Sequence, residues 1–348
     1  MQNEGWYMGE YDWEDTTGTV WQVKLTGAAP VTANETQVTM PILQATGDEI
    51  TRYFRNQPPS ITVDGMPLQD PFPLPGDYVE PDSIPGTAEV MVKSVINTDL
   101  GVTIEEKALG WGQKHHDNYI IFDWTITNTG NVDTDSEIEL PDQTLDSLYY
   151  LRASRLDIWH SEYWYSGRGE YEEDTLRVHY AYPGDPNGGG DDTGLFYLDD
   201  YPGYIHRPHT VGTAVLHVDA SPTDPTDDWN QPAMTGTENS DLLWIRNDPS
   251  QTSPAEWKMV YDVMSQGWDW RGNVPELTDG NNPYPSRTIR PGNHSVRMED
   301  LGVIRGVRHI HDFEWTTYGA SYFFAIGPFT LGPGESVRVV HANGYGSL

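Results

Sequence analysis

The sequence predicts an all-β protein, a large β-sandwich with long loops and one short capped helix. Three features carry that expectation. Residues 119–127 alternate strictly, with Ile120, Phe122, Trp124 and Ile126 on one face of an extended chain and Tyr119, Ile121, Asp123, Thr125 and Thr127 on the other. Turn formers punctuate the chain, with 34 Gly and 26 Pro among 348 residues, so the apolar runs between them stay short. Only one segment, 254–266, has a clear helical period. Ser253-Pro254-Ala255-Glu256 forms a capping box with proline at the first helical position, and Gly267 stops the helix. Trp257, Val260, Tyr261 and Met264 make one apolar stripe and are expected to be buried together on the sandwich.

Taken in order, residues 1–60 open with Trp6, Tyr7, Tyr11 and Trp13, and the alternating stretch 19–25 predicts a first strand or hairpin. Residues 57–87 are dense in proline, including Pro58-Pro59, Pro67, Pro71, Pro73 and Pro75, which forbids central strands. They read as an extended segment covering the body through Phe72, Leu74 and Tyr78. The expected division is therefore an N-terminal part over 1–88 and a main sandwich over 89–348, or one continuous domain.

Strands follow at 89–96 and 101–107, and Gly110-Trp111-Gly112 leads into the stretch 119–127. Asn128-Thr129-Gly130-Asn131 tolerates a left-handed backbone, so a reversal into an acidic partner strand over 132–140 is expected. Further strands are expected at 148–158, 175–182 and 210–218, with an acidic turn cluster at 221–230. Residues 322–331 and 336–341, separated by Pro333-Gly334, read as a closing hairpin.

Charge limits the partners. Asp and Glu number 53 against 20 Lys and Arg, a net charge of −33, which repels nucleic-acid phosphates and anionic membrane surfaces. Such a surface holds cations and stays soluble in salt. No cysteine is present, which removes disulfides, thiolate metal sites and cysteine nucleophiles. No apolar run reaches the about 18 residues that a spanning helix needs, so membrane insertion is not expected. Residues 1–5 carry neither a basic nor an apolar export region. Richness in Trp, Tyr, Gly and Pro suits a loop-rich extracellular sandwich, and the chain is read as numbered from a processed start.

Candidate sites follow from residue chemistry. The run at 157–174 interleaves aromatic and acidic residues, and Trp159, Glu162, Trp164, Tyr165 and Tyr171 form a candidate surface for stacking and hydrogen-bonding sugars. Asp185, Asn187, Asp191 and Asp192 sit in a glycine-rich loop, a hard-oxygen set suited to calcium, as are Asp224, Asp227 and Asp228. His309 and His311, two apart, would share a strand face and could ligate a metal with Glu314 and His341. His206, His209 and His217 form a looser set. No G-x-S-x-G elbow, Walker loop, H-E-x-x-H or dinucleotide fingerprint occurs, so an enzyme is not the leading expectation.

Several segments together resemble a family of large secreted β-sandwich proteins of marine and environmental bacteria, uncharacterised in function. They are Thr125-Ile126-Thr127-Asn128-Thr129-Gly130-Asn131, then Gly212-Thr213-Ala214-Val215-Leu216-His217-Val218-Asp219 with Asp224-Pro225-Thr226-Asp227-Asp228. Asn247-Asp248-Pro249 and Gly327-Pro328-Phe329-Thr330-Leu331-Gly332-Pro333-Gly334-Glu335-Ser336 complete the set. The resemblance spans residues 115–345 and implies an extracellular or cell-surface protein, with no catalytic residues to carry over. The leading expectation is an acidic interaction or structural protein, a subunit of a cell-surface or extracellular assembly whose partners are like copies or surface proteins. Its alternative is a carbohydrate-binding or carbohydrate-active protein whose ligand is a polysaccharide.

Overall fold

The computed structural model describes residues 3–28, 42–44, 50–57, 62–67, 76–156, 168–172, 177–182, 209–237, 254–266, 287–289 and 320–347. In chain order the strands are β1 (Asn3–Glu14), β2 (Val20–Ala28), β3 (Ile42–Gln44), β4 (Ile50–Phe54), β5 (Thr62–Val63), β6 (Met66–Pro67) and β7 (Asp77–Val79). After a 3-10 turn at Pro81–Ser83 come β8 (Val90–Thr98), β9 (Val102–Gly110), β10 (Tyr119–Asn128), β11 (Leu145–Leu156), β12 (Arg168–Glu172) and β13 (Val178–Tyr182). Then follow β14 (His209–Ser221), β15 (Asp224–Asp227), β16 (Met234–Thr237), helix α1 (Pro254–Gln266), β17 (Arg287–Ile289), β18 (Ala320–Leu331) and β19 (Ser336–Ser347).

Two sheets form an all-β sandwich. The six-stranded sheet has the order β17-β16-β18-β11-β1-β2, and the 11-stranded one runs β12-β13-β14-β19-β10-β9-β8-β4-β7, with β15 on β14 and β3 on β8. Alternation decides which side chains meet between them. Trp124 and Ile126 of β10, Val102 and Ile104 of β9, and Val337 and Val339 of β19 pack on Met8, Tyr150, Phe324 and Ile326 of the opposite sheet. Trp124 stands edge-on to Trp6 at 5.7 Å and lies 5.0 Å from Tyr150. The outer face of the six-stranded sheet is covered by α1, where Val260, Tyr261 and Met264 are buried against Tyr7, Val23, Leu25 and Leu151, with Trp257 half-buried beside them. The stripe predicted from helical spacing therefore packs as expected, whereas its capping residue Ser253 lies outside the described residues.

The N-terminal hairpin forms as β1 and β2, closed by a turn in which Asp15 accepts the amides of Thr17 and Thr19. Hydrogen bonds from the Thr17 hydroxyl and the Trp21 indole, and then those two amides, hold the Asp15 carboxyl far below the usual range. The described part of the proline-rich segment contributes to a small buried cluster and one ring stack. Ile84 and Ala88 are buried with Met91 and Leu109, and Tyr78 stacks on Tyr53 at 5.5 Å. Phe72 and Leu74 lie outside the described residues.

Two expected pairings are corrected. Residues 132–140 form no strand, because both edges of β10 are taken by β9 and β19. The acidic side chains there also capture the amides that a ladder would need. Asn131 accepts from Asp133 N, Asp133 from Asp135 N, Asp135 from Glu137 N and Glu139 from Val132 N. Gly130 allows the entry into this segment. It has φ 70°, and a Cβ there would lie 2.3 Å from the Leu140 carbonyl oxygen. The closing pair β18 and β19 is not a hairpin either, since β18 pairs with β11 and β16 while β19 pairs with β10 and β14. The Pro333-Gly334 turn instead carries the chain from one sheet to the other, fixed by Gly334 N donating to Asn128 O at 2.7 Å.

Candidate functional site

β1 pairs with β11 only from Asn3 to Gly9, although its pairing with β2 continues to Glu14. β11 meanwhile follows β18 through two register shifts between Leu145 and Tyr150. The two strands part at Glu10. The gap is a cleft of about 230 Å³ lined by residues 10–13 and 143–147. Asp12 adopts φ 54°, a left-handed conformation uncommon outside glycine. On one side of it Tyr11 packs on Tyr261 at 6.0 Å, and on the other Trp13 enters the inter-sheet core and donates its indole N–H to Leu100 O at 3.1 Å.

Glu10 is the chemical centre of the cleft and is 2% exposed. Its Oε1 accepts three hydrogen bonds, from Asp146 N at 3.0 Å, Ser147 N at 3.1 Å and Ser147 Oγ at 3.1 Å. Its Oε2 is buried and has no hydrogen-bond partner. Burial pushes the carboxyl up to about 7, the three hydrogen bonds pull it down, and the Asp146 charge adds to the rise. Lys24 faces Glu10 across the β1–β2 pair. Its ammonium, however, pairs with Asp99 at 2.5 Å and lies 5.4 Å from the Trp13 ring and 5.1 Å from the Trp257 ring. The helix is tied to the same place, since Tyr261 OH donates to Ser147 O at 2.7 Å. A buried carboxyl pushed up to about 7, with one oxygen fixed by three donors and the other buried without a partner, can exchange a proton near neutrality.

The sequence contained a signal for Glu10. Trp6 and Met8 alternate toward the inter-sheet core, and Glu10 is the next residue of that face, a carboxylate where an apolar side chain belongs. The residues singled out from sequence fall elsewhere. Tyr171 lies on β12, at one end of the 11-stranded sheet, whereas Trp159, Glu162, Trp164 and Tyr165 lie outside the described residues, as do Asp185, Asn187, Asp191, Asp192, His309 and His311.

Several residues named as conceivable metal ligands are otherwise occupied. His341 is fully buried between the sheets, stacked on Phe122 at 5.1 Å, and its Nε2 accepts from the Arg152 guanidinium. Burial and then the Arg152 charge hold it well below its ordinary pKa, as a neutral ring. It cannot complete an exposed metal site. His217 contacts Asp219 at 2.7 Å. Asp227 accepts from Arg177 and from Val218 N, while Asp224 and Asp228 cap Thr226 and Asn230. Among the described residues the carboxylates that do converge are Asp133, Asp135 and Glu139, whose oxygens lie within 4.8 Å of one another. That all-oxygen set suits calcium chemically, but each side chain already accepts a backbone amide of its own loop.

No family model matches the chain, and a search of curated proteins finds no match. Among the described residues, no helix is long and apolar enough to cross a membrane.

Proposed function

We propose that the chain is an extracellular or cell-surface acidic all-β interaction module and that it recognises its partner through the Glu10 cleft. One observation supports this reading above others: a cleft lined by Tyr11, Asp12, Gln143 and Asp146 lies where β1 and β11 part, at the buried Glu10 that holds its β11 side. The acidic surface and the resemblance to large secreted sandwich proteins support the extracellular setting. No nucleophile, base and oxyanion arrangement is needed for this role.

The test uses the labelled full chain on peptide and glycan arrays, with wild type and Glu10→Ala compared after both are shown to melt cooperatively. Peptide spots that bind wild type and fade at least tenfold with Glu10→Ala are expected. Glycan spots alone with that dependence would replace the reading by carbohydrate binding. The absence of any Glu10-dependent spot would overturn the cleft as the recognition site.

A further inference from the structure

We infer that Lys24 and Asp99 condense into an intramolecular isopeptide bond that ties the two sheets together covalently. Lys24 lies on β2, at the end of the six-stranded sheet, and Asp99 lies in the turn between β8 and β9 of the 11-stranded one. The Lys24 Nζ stands 2.5 Å from Asp99 Oδ2, which puts it about 3–3.5 Å from the carboxyl carbon, the separation of groups arranged to react. The inference is independent of the Glu10 cleft and goes beyond the interaction-module reading. With no cysteine in the chain, a covalent tie between the sheets has to use other side chains.

Both groups are fixed in place and shielded. The turn that carries Asp99 is closed by Gly101 N donating to Thr98 O at 3.0 Å, and the Thr98 hydroxyl donates to Val102 O at 2.8 Å. The next residue, Leu100, is fully buried, and its carbonyl accepts the Trp13 indole N–H at 3.1 Å. On the other side the Lys24 ammonium lies 5.4 Å from the Trp13 ring and 5.1 Å from the Trp257 ring. The two reacting side chains are 14% and 19% exposed. The pairs Lys93–Glu105, Lys107–Glu105 and Lys258–Asp262 are about as short, but their side chains are 29% to 39% exposed, so water competes with the amine there.

The step balances with these two groups alone. One proton passes from the ammonium to the carboxylate, and the freed lone pair on Nζ attacks Cγ. The Nζ–Cγ bond forms, a Cγ–O bond breaks, and the hydroxyl departs with a second nitrogen proton as water. No oxidant, reductant or cofactor enters. The ion pair is also a costly ground state, because two charges sit among indole rings and Asp99 Oδ1 is buried without a hydrogen-bond partner. Condensation removes both charges and one carboxylate oxygen, and the rings that exclude water protect the amide from hydrolysis.

Intact mass spectrometry of the folded full chain, sprayed from denaturant, tests this together with peptide mapping. Wild type is expected about 18 Da below its sequence mass, the loss of one water, and the map should contain one species linking the Lys24 and Asp99 peptides. Lys24→Arg keeps a cation for the ion pair but has no amine to condense, so it should appear at its full sequence mass with no linked species. A wild-type chain at full sequence mass would overturn the inference, as would a water loss that survives Lys24→Arg. Should that variant fail to fold, the wild-type map decides alone, since a water loss located at any other residues contradicts the Lys24–Asp99 bond.

Discussion

Replacing Glu10 by Gln should stabilise the protein at pH 8 relative to pH 5, by about 2–3 kcal/mol in the difference between variant and wild type. The sign follows from the direction of the shift. The folded carboxyl sits at about 7 against an ordinary 4.5, so the native state holds its proton more tightly than the unfolded chain. Stability is then highest while Glu10 is protonated, falls as pH rises from the unfolded value to about 7, and is flat above. Gln is isosteric, keeps an oxygen for the amides of Asp146 and Ser147 and has no charge to desolvate. Urea unfolding of both proteins at the two pH values measures the change. An equal difference at pH 5 and pH 8 would mean that Glu10 titrates as an ordinary exposed carboxylate.

Trp124→Ala should cost about 3–5 kcal/mol, the range for removing a large aromatic from a packed core. Trp124 is 2% exposed and sits between Trp6 and Tyr150, where the two sheets meet. Its strand neighbour Ile120 is 46% exposed, so Ile120→Ala should cost well under about 1 kcal/mol. The urea midpoint, read with an unchanged slope, compares the two. A similar loss at both positions would mean that Trp124 is not packed between the two sheets as described.

The fold was legible where one strand or helix records its own burial. β10 alternates because one of its faces meets the opposite sheet, and α1 shows an apolar stripe because a single face covers β1, β2 and β11. Pairing was less legible. Residues 132–140 alternate like a strand, yet their carboxylates bond the amides of their own loop and β10 has no edge left for them. Likewise 322–331 and 336–341 read as a hairpin because a short turn joins them, and nothing local states that each strand completes a different sheet. Periodicity fixes which face is buried and leaves the partner strand open.

The site was hidden for a related reason. Carboxylates are so frequent in this chain that an acidic residue carries little information by type. Glu10 is distinguished by sharing the inward face of Trp6 and Met8, and by a cleft that exists only because β1 and β11 separate beyond Gly9. That separation is tertiary and leaves no mark on the local sequence. His341 shows the converse. It sits in an alternating terminal strand and looked available to a metal, but its face is the inner one.

Glu10 is a buried, half-satisfied carboxyl at the cleft between β1 and β11, pushed up to about 7 by burial. A carboxyl-carbon NMR titration of the full chain, with Glu10→Gln to assign the resonance, tests it directly. One glutamate signal should titrate with a midpoint near 7 and vanish in the variant. A wild-type spectrum in which the Glu10 signal titrates below about 5, as an ordinary glutamate does, would contradict it.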